Sequence, residues 1–386
     1  MLKYIRISNK ESCPCGSKKI YKDCCKKLAP RKFHSKGEKL DLIGKLMKKS
    51  KQKFCLVEGC NSKPRDIILA HALQENRILN KIADNNMVYM QNLNKNPLML
   101  EIIKGIEEPF YLLEEVKIKD ATVQTCFCKS HDDDIFRKIE KSQYTFDNLT
   151  EEQLFLFAYR AFSFEYYKDI SVDRLYKLMC KEVPQLFKNP FLVYKYRHSL
   201  IKRLEMEYYK EYFDNGLSRS YFSGLTTFIL KIPYTIRFSG YLSIAPPFDL
   251  KGYSIKTISK KTKQMKRVFI TIVPDEKQSY VLISSLKDDK DVYFSFFDSL
   301  INSDDTLIMK YLNVFIPLYS ENLIVNPSLF RSFSEPGQHM LQYLVSETSQ
   351  RRISNILIRL QSGLMMIEKS KLAKHDLSTL PYNLFA

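Results

Sequence analysis

Eight of the nine cysteines lie in the first third of this 386-residue chain: Cys13, Cys15, Cys24, Cys25, Cys55, Cys60, Cys126 and Cys128. Only Cys180 follows them. Crowding of this kind has two physical solutions, a disulfide framework or bound metal. Disulfide frameworks belong to small exported domains in oxidising compartments. The opening residues, MLKYIRISNKESCPCG, contain no apolar run of the signal-peptide type, and the large remainder of the chain is almost free of cysteine. Metal ligation in a reducing, cytoplasmic setting is therefore the expectation.

The first cluster has the spacing C-x-C-x8-C-C, from Cys13 through Cys15 to Cys24 and Cys25. Four thiolates complete a closed tetrahedral zinc site with no open position for a substrate. Gly16 suits the tight turn after the second ligand. Lys18, Lys19, Lys22, Lys26 and Lys27 surround the site with positive charge, which favours the thiolate forms. So short a segment cannot bury a core, so metal binding must supply its folding energy. The stretch Cys13-Pro14-Cys15-Gly16-Ser17-Lys18-Lys19-Ile20-Tyr21-Lys22-Asp23-Cys24-Cys25 resembles the SEC-C motif, whose pattern is close to CPCGSGKKYKKC followed by Cys or His. The four ligand positions and Tyr21 match; Lys18, Ile20 and Asp23 depart. The resemblance covers about residues 12–26, and it implies bound zinc and a small docking module.

The second cluster is dispersed. Cys55-x4-Cys60, with Gly59 fit for a knuckle turn, pairs naturally with Cys128-x2-His131 at the start of a helix running through Ile135, Phe136 and Ile139. A knuckle, a hairpin and a helix carrying the last two ligands would make a zinc treble clef. Cys126 is a substitute ligand, and buried core cysteines are the plainer alternative. Between the halves stands Asp66-Ile67-Ile68-Leu69-Ala70-His71. Here the sequence is similar to the HNH (ββα-metal) nuclease family. That resemblance implies His71 as the general base and Asp132, directly after His131, as the ligand of a catalytic Mg2+ or Mn2+. Ala70 stands where the family often has His or Asp, and Asn76, Asn80 and Asn92 compete for the family's intervening Asn. Without the resemblance, His71 reads as a satisfied core histidine, and Asp132–Asp134 as acids favoured in a helix's first turn.

Charge follows the cysteines. The formal net charge is +18, and residues 1–60 hold 17 Lys/Arg against 5 Asp/Glu. A concentrated basic segment favours polyanions through counterion release. No apolar stretch is long enough for a membrane span, and there is no phosphate-binding Gly-rich loop, nucleophile elbow or dinucleotide fingerprint.

Five regions are expected: 1–30, a zinc module like SEC-C; 31–53, a basic helical linker; 54–145, an HNH-like treble clef; 146–214, helical, opening on the capping box Thr150-x-x-Gln153; and 215–386, an α+β domain. Asn215-Gly216 should end the helical region. Strands are expected over 226–231, 235–238 and 241–244, with a hairpin over 268–273 and 279–285. Helices are expected near 291–301, 304–314 and 327–345, and an amphipathic one over 349–371. The fold class is α+β, multidomain, with two structural zinc ions. The functional expectation is a nucleic-acid-associated protein, a candidate HNH-like nuclease, with bacterial defence suggested by analogy. The alternative is a non-catalytic adaptor that binds nucleic acid, ribosome or protein through its basic arm.

Overall fold

The structure is a computed structural model that describes residues 6–91, 113–258, 264–350 and 380–386. The expected amphipathic stretch 349–371 falls almost wholly outside them.

Helices form where the sequence supplies both a cap and an apolar face. Helix α1 (Lys36–Ser50) starts at Ser35, whose hydroxyl accepts the Glu38 amide at 3.1 Å, while Glu38 reaches back to the His34 amide at 2.9 Å. A short π-helical turn (Glu75–Leu79) runs into α2 (Asn80–Ile82), and α3 spans Lys129–Glu140. Helix α4 (Glu151–Glu182) opens on the expected capping box, with both Thr150–Gln153 bonds made. At 32 residues it is about 48 Å long, enough to cross the molecule. Helix α5 (Pro190–Arg219) runs straight past Asn215-Gly216. Gly216 is thus not the expected breaker. A Cβ there would lie 2.6 Å from the Phe155 ring, so the glycine lets α5 approach α4 closely.

Nine strands make two sheets among the described residues. The small one pairs β1 (Ala70–His71) with β4 (Val123–Gln124). The large one has seven antiparallel strands. They include β2 (Met87–Gln91), β3 (Leu113–Lys117), β5 (Leu225–Ile232), β6 (Phe238–Ile244), β7 (Val268–Pro274), β8 (Ser279–Leu286) and β9 (Ile324–Val325), in the order β3-β2-β9-β6-β7-β8-β5. The expected strand over 226–231 and the hairpin appear here, while the two strands expected over 235–238 and 241–244 are a single strand, β6, with 235–237 outside it. Strands β6, β7 and β8 read as near-continuous apolar runs because both faces are covered. Their side chains alternate between two cores. Tyr241, Phe269, Val273, Tyr280 and Leu282 join one side with α3, α4 and α5. Leu242, Ile270, Ile272, Val281 and Ile283 join the other. That second side is covered by α6 (Lys290–Ile301), α7 (Asp305–Tyr319), α8 (Pro327–Ser332) and α9 (Glu335–Gln350), with Leu384 and Phe385 from the C-terminus.

The regions expected from sequence share these elements. Strand β9 joins β2 and β6, so the 54–145 region contributes two strands to the sheet of the C-terminal region. The last turns of α4 leave the sheet. There Leu175, Tyr176, Met179, Cys180 and Val183 form a third core with Cys13, Tyr21 and Cys25 of the N-terminal segment and with Ile43 and Leu46 of α1.

Candidate metal centres

The first centre is built from turns. Cys13 and Cys15 lead into a bend at Gly16, whose φ is +78°. Lys18, where the resembled motif has glycine, adopts φ +62°, so the backbone keeps the left-handed shape without the permissive residue. Two single 3-10 turns, Tyr21–Asp23 and Cys25–Lys27, then bring Cys24 and Cys25 round. The Cys13 amide donates to the Lys19 carbonyl at 2.8 Å and the Tyr21 amide to the Glu11 carbonyl at 2.7 Å, closing the loop. One ligand atom from each of Cys13, Cys15, Cys24 and Cys25 lies within 4.8 Å of all the others. Cys15 Sγ and Cys24 Sγ are 3.5 Å apart, and Cys24 Sγ and Cys25 Sγ 3.9 Å. Zinc–sulfur bonds of about 2.3 Å in a tetrahedron require edges near ~3.8 Å, so the four sulfurs fit a zinc ion.

The second centre gathers residues far apart in sequence. Gly59, at φ +71°, shapes the knuckle, and the Cys60 amide donates to the Val57 carbonyl at 3.2 Å. The knuckle is held to the later segment by Leu56 N–H to the Cys126 carbonyl at 2.9 Å and Ile68 N–H to the Phe127 carbonyl at 3.1 Å. Cys128 is the N-cap residue of α3, and His131 lies in its first turn. His131 Nδ1 stands 3.4 Å from Cys55 Sγ and 3.3 Å from Cys128 Sγ, while Cys60 Sγ and Cys128 Sγ are 3.9 Å apart. These are edges of a zinc-sized tetrahedron with three sulfur corners and one nitrogen corner. Cys126 is not part of the set; it is fully buried in the main core.

The metal-free thiols are poised for exchange of protons against metal. Burial raises Cys15, but the Ser17 side-chain and backbone hydrogen bonds outweigh it and bring the thiol down to about 7. At Cys128 burial is likewise outweighed, by hydrogen bonds from Ser130, Ser62 and the His131 backbone, and the thiol falls to about 6. Burial pushes Cys55 up to about 12, and it also raises Cys13 and Cys25. Both clusters could therefore hold zinc. Each uses four protein ligands, which is the closed, structural arrangement.

His71 ends β1, in a ribbon with β4 next to α3, and Asp132 follows His131 on that helix. The two side chains are within electrostatic reach of each other. His71 Nδ1 donates to the Ala121 carbonyl at 3.0 Å, and Nε2 lies 3.4 Å from Glu75 Oε2, an ion pair only when the imidazole is protonated. Burial lowers the imidazole pKa, against the opposing effects of the Ala121 carbonyl and Glu75.

Arg160 and Glu140 complete the cluster. Arg160 of α4 donates from Nε to the His71 carbonyl at 3.1 Å and to the Ala72 carbonyl at 3.2 Å. It also pairs with Glu140 through Nη1 and stands 3.8 Å from Asp132 Oδ1, with its guanidinium 4.3 Å above the Phe136 ring. The side chains of His71, Asp132, Glu140 and Arg160 are 17%, 13%, 15% and 8% exposed. Burial raises both carboxyls, with Arg160 pulling the other way. Only the pattern of one buried arginine in an aromatic helix could have pointed to Arg160. Glu165, the next charged residue along that helix, accepts from Asn322 at 2.5 Å.

The basic residues near the first centre face outward. Lys27 and Lys45 pair with Asp23 and Asp41 one turn away, while Lys18, Lys19, Lys22, Lys48 and Lys49 are exposed. Further along, Arg197 of α5 pairs with Glu11 at 2.7 Å and Lys202 with Asp169 at 2.7 Å. No described helix is long and apolar enough to cross a membrane. Comparison with protein-family models, with curated proteins and with solved structures returns no match.

Proposed function

We propose that the protein is a non-catalytic binding protein. In this reading two structural zinc ions organise it, and it docks on a nucleic-acid backbone through the basic face of its SEC-C-like N-terminal module. One observation carries the non-catalytic part: the guanidinium of Arg160 sits beside Asp132 and Glu140 of α3, where a divalent ion held by Asp132 would have to sit. Arg160 of α4 also binds the backbone carbonyls of His71 and Ala72, and the His71 side chain is 17% exposed. The buried arginine supplies the charge compensation that an HNH-like site would draw from Mg2+ or Mn2+. The polyanion partner is inferred from the exposed lysines around Cys13–Cys25 and along α1.

A degenerate HNH-like nuclease is the second reading. It is favoured by the knuckle–ribbon–helix arrangement, with His71 at the end of a strand, its Nδ1 fixed by a carbonyl, and Asp132 beside the zinc ligands. One set of assays separates the two. Zinc-loaded protein is tested for binding and cleavage of labelled DNA and RNA, with Mg2+ or Mn2+, alongside His71→Ala and a Lys18/Lys19/Lys22→Ala triple variant. The binder gives no cleavage. Its affinity falls steeply between about 50 and 200 mM salt, and the triple variant flattens that slope by about one for each phosphate it no longer neutralises. Metal-dependent cleavage abolished by His71→Ala would establish the enzyme instead. Binding that ignores salt and the three lysines would remove the polyanion partner.

A further inference from the structure

Strand β5 ends one side of the large sheet, and its outer edge is open among the described residues. We propose that a second copy of this chain pairs with it, β5 to β5 about a two-fold axis. The two sheets then become one, with the two α6 helices packed over the join. The inference is independent of the metal centres and of the polyanion reading.

The two edges of the sheet differ. Strand β3 has five residues and reads Leu-Glu-Glu-Val-Lys, a short charged edge of the kind that resists pairing. Strand β5 reads Leu-Thr-Thr-Phe-Ile-Leu-Lys-Ile over eight residues, with no proline and an unbroken register against β8. The Lys287 amide donates to the Gly224 carbonyl at 2.9 Å, one step beyond the Leu225–Leu286 pair. Bonded and non-bonded pairs alternate along an antiparallel ladder. The even-numbered residues of β5 therefore bond to β8, while Leu225, Thr227, Ile229 and Lys231 turn their N–H and C=O groups outward. Among the described residues nothing bonds to these backbone groups.

Helix α6 supplies the second observation. It lies on β8 and β5, and Tyr293, Phe296 and Leu300 face the sheet. One flank meets α7 and the loop beside it: Phe296 stands 6.3 Å from Tyr311 between ring centroids, and Ser299 Oγ accepts the Leu250 amide at 3.4 Å. Phe294, Phe297 and Ile301, spaced i, i+3, i+7, lie on the opposite flank. Phe297 is partly buried, but Phe294 and Ile301 are 74% and 69% exposed. An exposed apolar stripe of this kind marks an interaction site.

The strand itself selects the register. Turned about an axis at Phe228, β5 sets Leu225 against the partner's Lys231 and Thr227 against the partner's Ile229, so every outward N–H finds a carbonyl. Phe228 then faces its own copy, on the same side of the sheet as α6. An axis perpendicular to the sheet puts both α6 helices on that side, antiparallel, with their stripes towards each other. Lys231 carries the one charge on the strand and lies opposite leucine, so pairing opposes no like charges. The edge is about 27 Å long and the strip from the sheet to the top of α6 about 20 Å high, roughly 600 Å2 per copy, the lower end for a stable interface.

The test is the mass of the full chain in solution, by sedimentation equilibrium across concentrations spanning a dissociation constant on the order of 1 μM. Wild type should pass from one copy to two. The double variant Phe294→Lys/Ile301→Lys changes exposed positions, and Thr227→Pro removes an outward amide while sparing the β8 ladder. Each should weaken the dimer by about tenfold or more, with melting curves confirming that both are folded. Phe228→Cys should cross-link copy to copy on mild oxidation, because the two Cα atoms would be about 4.5 Å apart, and Thr226→Cys should not. A wild type that stays monomeric throughout overturns the proposal. So does a dimer indifferent to both variants, or one that cross-links through Thr226→Cys in place of Phe228→Cys. A monomer whose outward β5 amides resist hydrogen exchange would show a different occupant on the edge, which also overturns it.

Discussion

At the residue scale, Arg160 joins three parts of the chain. It satisfies the carbonyls of His71 and Ala72, compensates Asp132 and Glu140, and lies over the Phe136 ring. Buried ion pairs are poor sources of net stability, but removing one partner leaves charges without compensation. Arg160→Met should therefore cost about 3–5 kcal/mol at neutral pH, measured by urea unfolding. Asp132→Asn leaves the Arg160–Glu140 pair intact and should cost well under half of that. The pH dependence follows from the carboxyls. Their folded pKa values already lie above the ordinary range, and losing Arg160 raises them further. The folded variant then binds protons that the unfolded chain releases, so its stability falls as pH rises through the window above the ordinary carboxyl values. The Arg160→Met deficit should be largest at neutral pH and shrink as pH falls towards about 5. A deficit that grows on acidification would show that the carboxyls are not the groups Arg160 compensates.

At the element scale, α4 and α5 cross closely because Gly216 has no side chain. The Phe155 ring that it admits is fully buried and wedged between Phe213 and Phe222, with centroids 5.2 and 5.1 Å away. Gly216→Ala should gain up to about 1 kcal/mol of helix propensity. Overpacking against a confined ring costs about 1–3 kcal/mol. The net prediction is destabilisation by about 1 kcal/mol, read as a lower urea midpoint at unchanged slope. A raised midpoint would mean that the ring has room to move. The start of α4 was legible because its cap is local: Thr150 accepts the Gln153 amide three residues on, as Ser35 and Asp304 do at the starts of α1 and α7. The end of α5 was not, because a glycine that stops an isolated helix and a glycine that admits a neighbour look alike until the neighbour is placed.

At the scale of the whole molecule, the two centres support different amounts of structure. The second is continuous with the main core through Leu56 and Phe127, while the first holds only the N-terminal segment against the end of α4. Disabling the first with Cys24→Ser should leave the main melting transition nearly unchanged. It should expose the lysine-rich segment up to α1 to trypsin, seen as a truncated but folded product. Disabling the second with Cys60→Ser should lower the main transition by several degrees, since about 1 kcal/mol shifts a melting point by a few degrees in a chain of this size. Equal effects on the main transition would show one metal-dependent unit instead of two.

The sequence by itself determined the two candidate ligand sets, the Thr150–Gln153 capping box, the hairpin over 268–285 and the concentration of charge near the N-terminus. These features depend on residue chemistry at short spacing, or on ligand types so rare that their partners are few. The 67-residue stretch between Cys60 and Cys128 carries no ligand of the second cluster. Only the tertiary structure showed that it carries β2 and β3 into the large sheet, with β9 making the join. Tertiary structure alone also brought Arg160 to His71 across 89 residues and set Cys180 against the first centre. The physical reason is common to these cases. A contact between distant residues is decided by which faces the packed helices and strands present, and no local pattern encodes that choice.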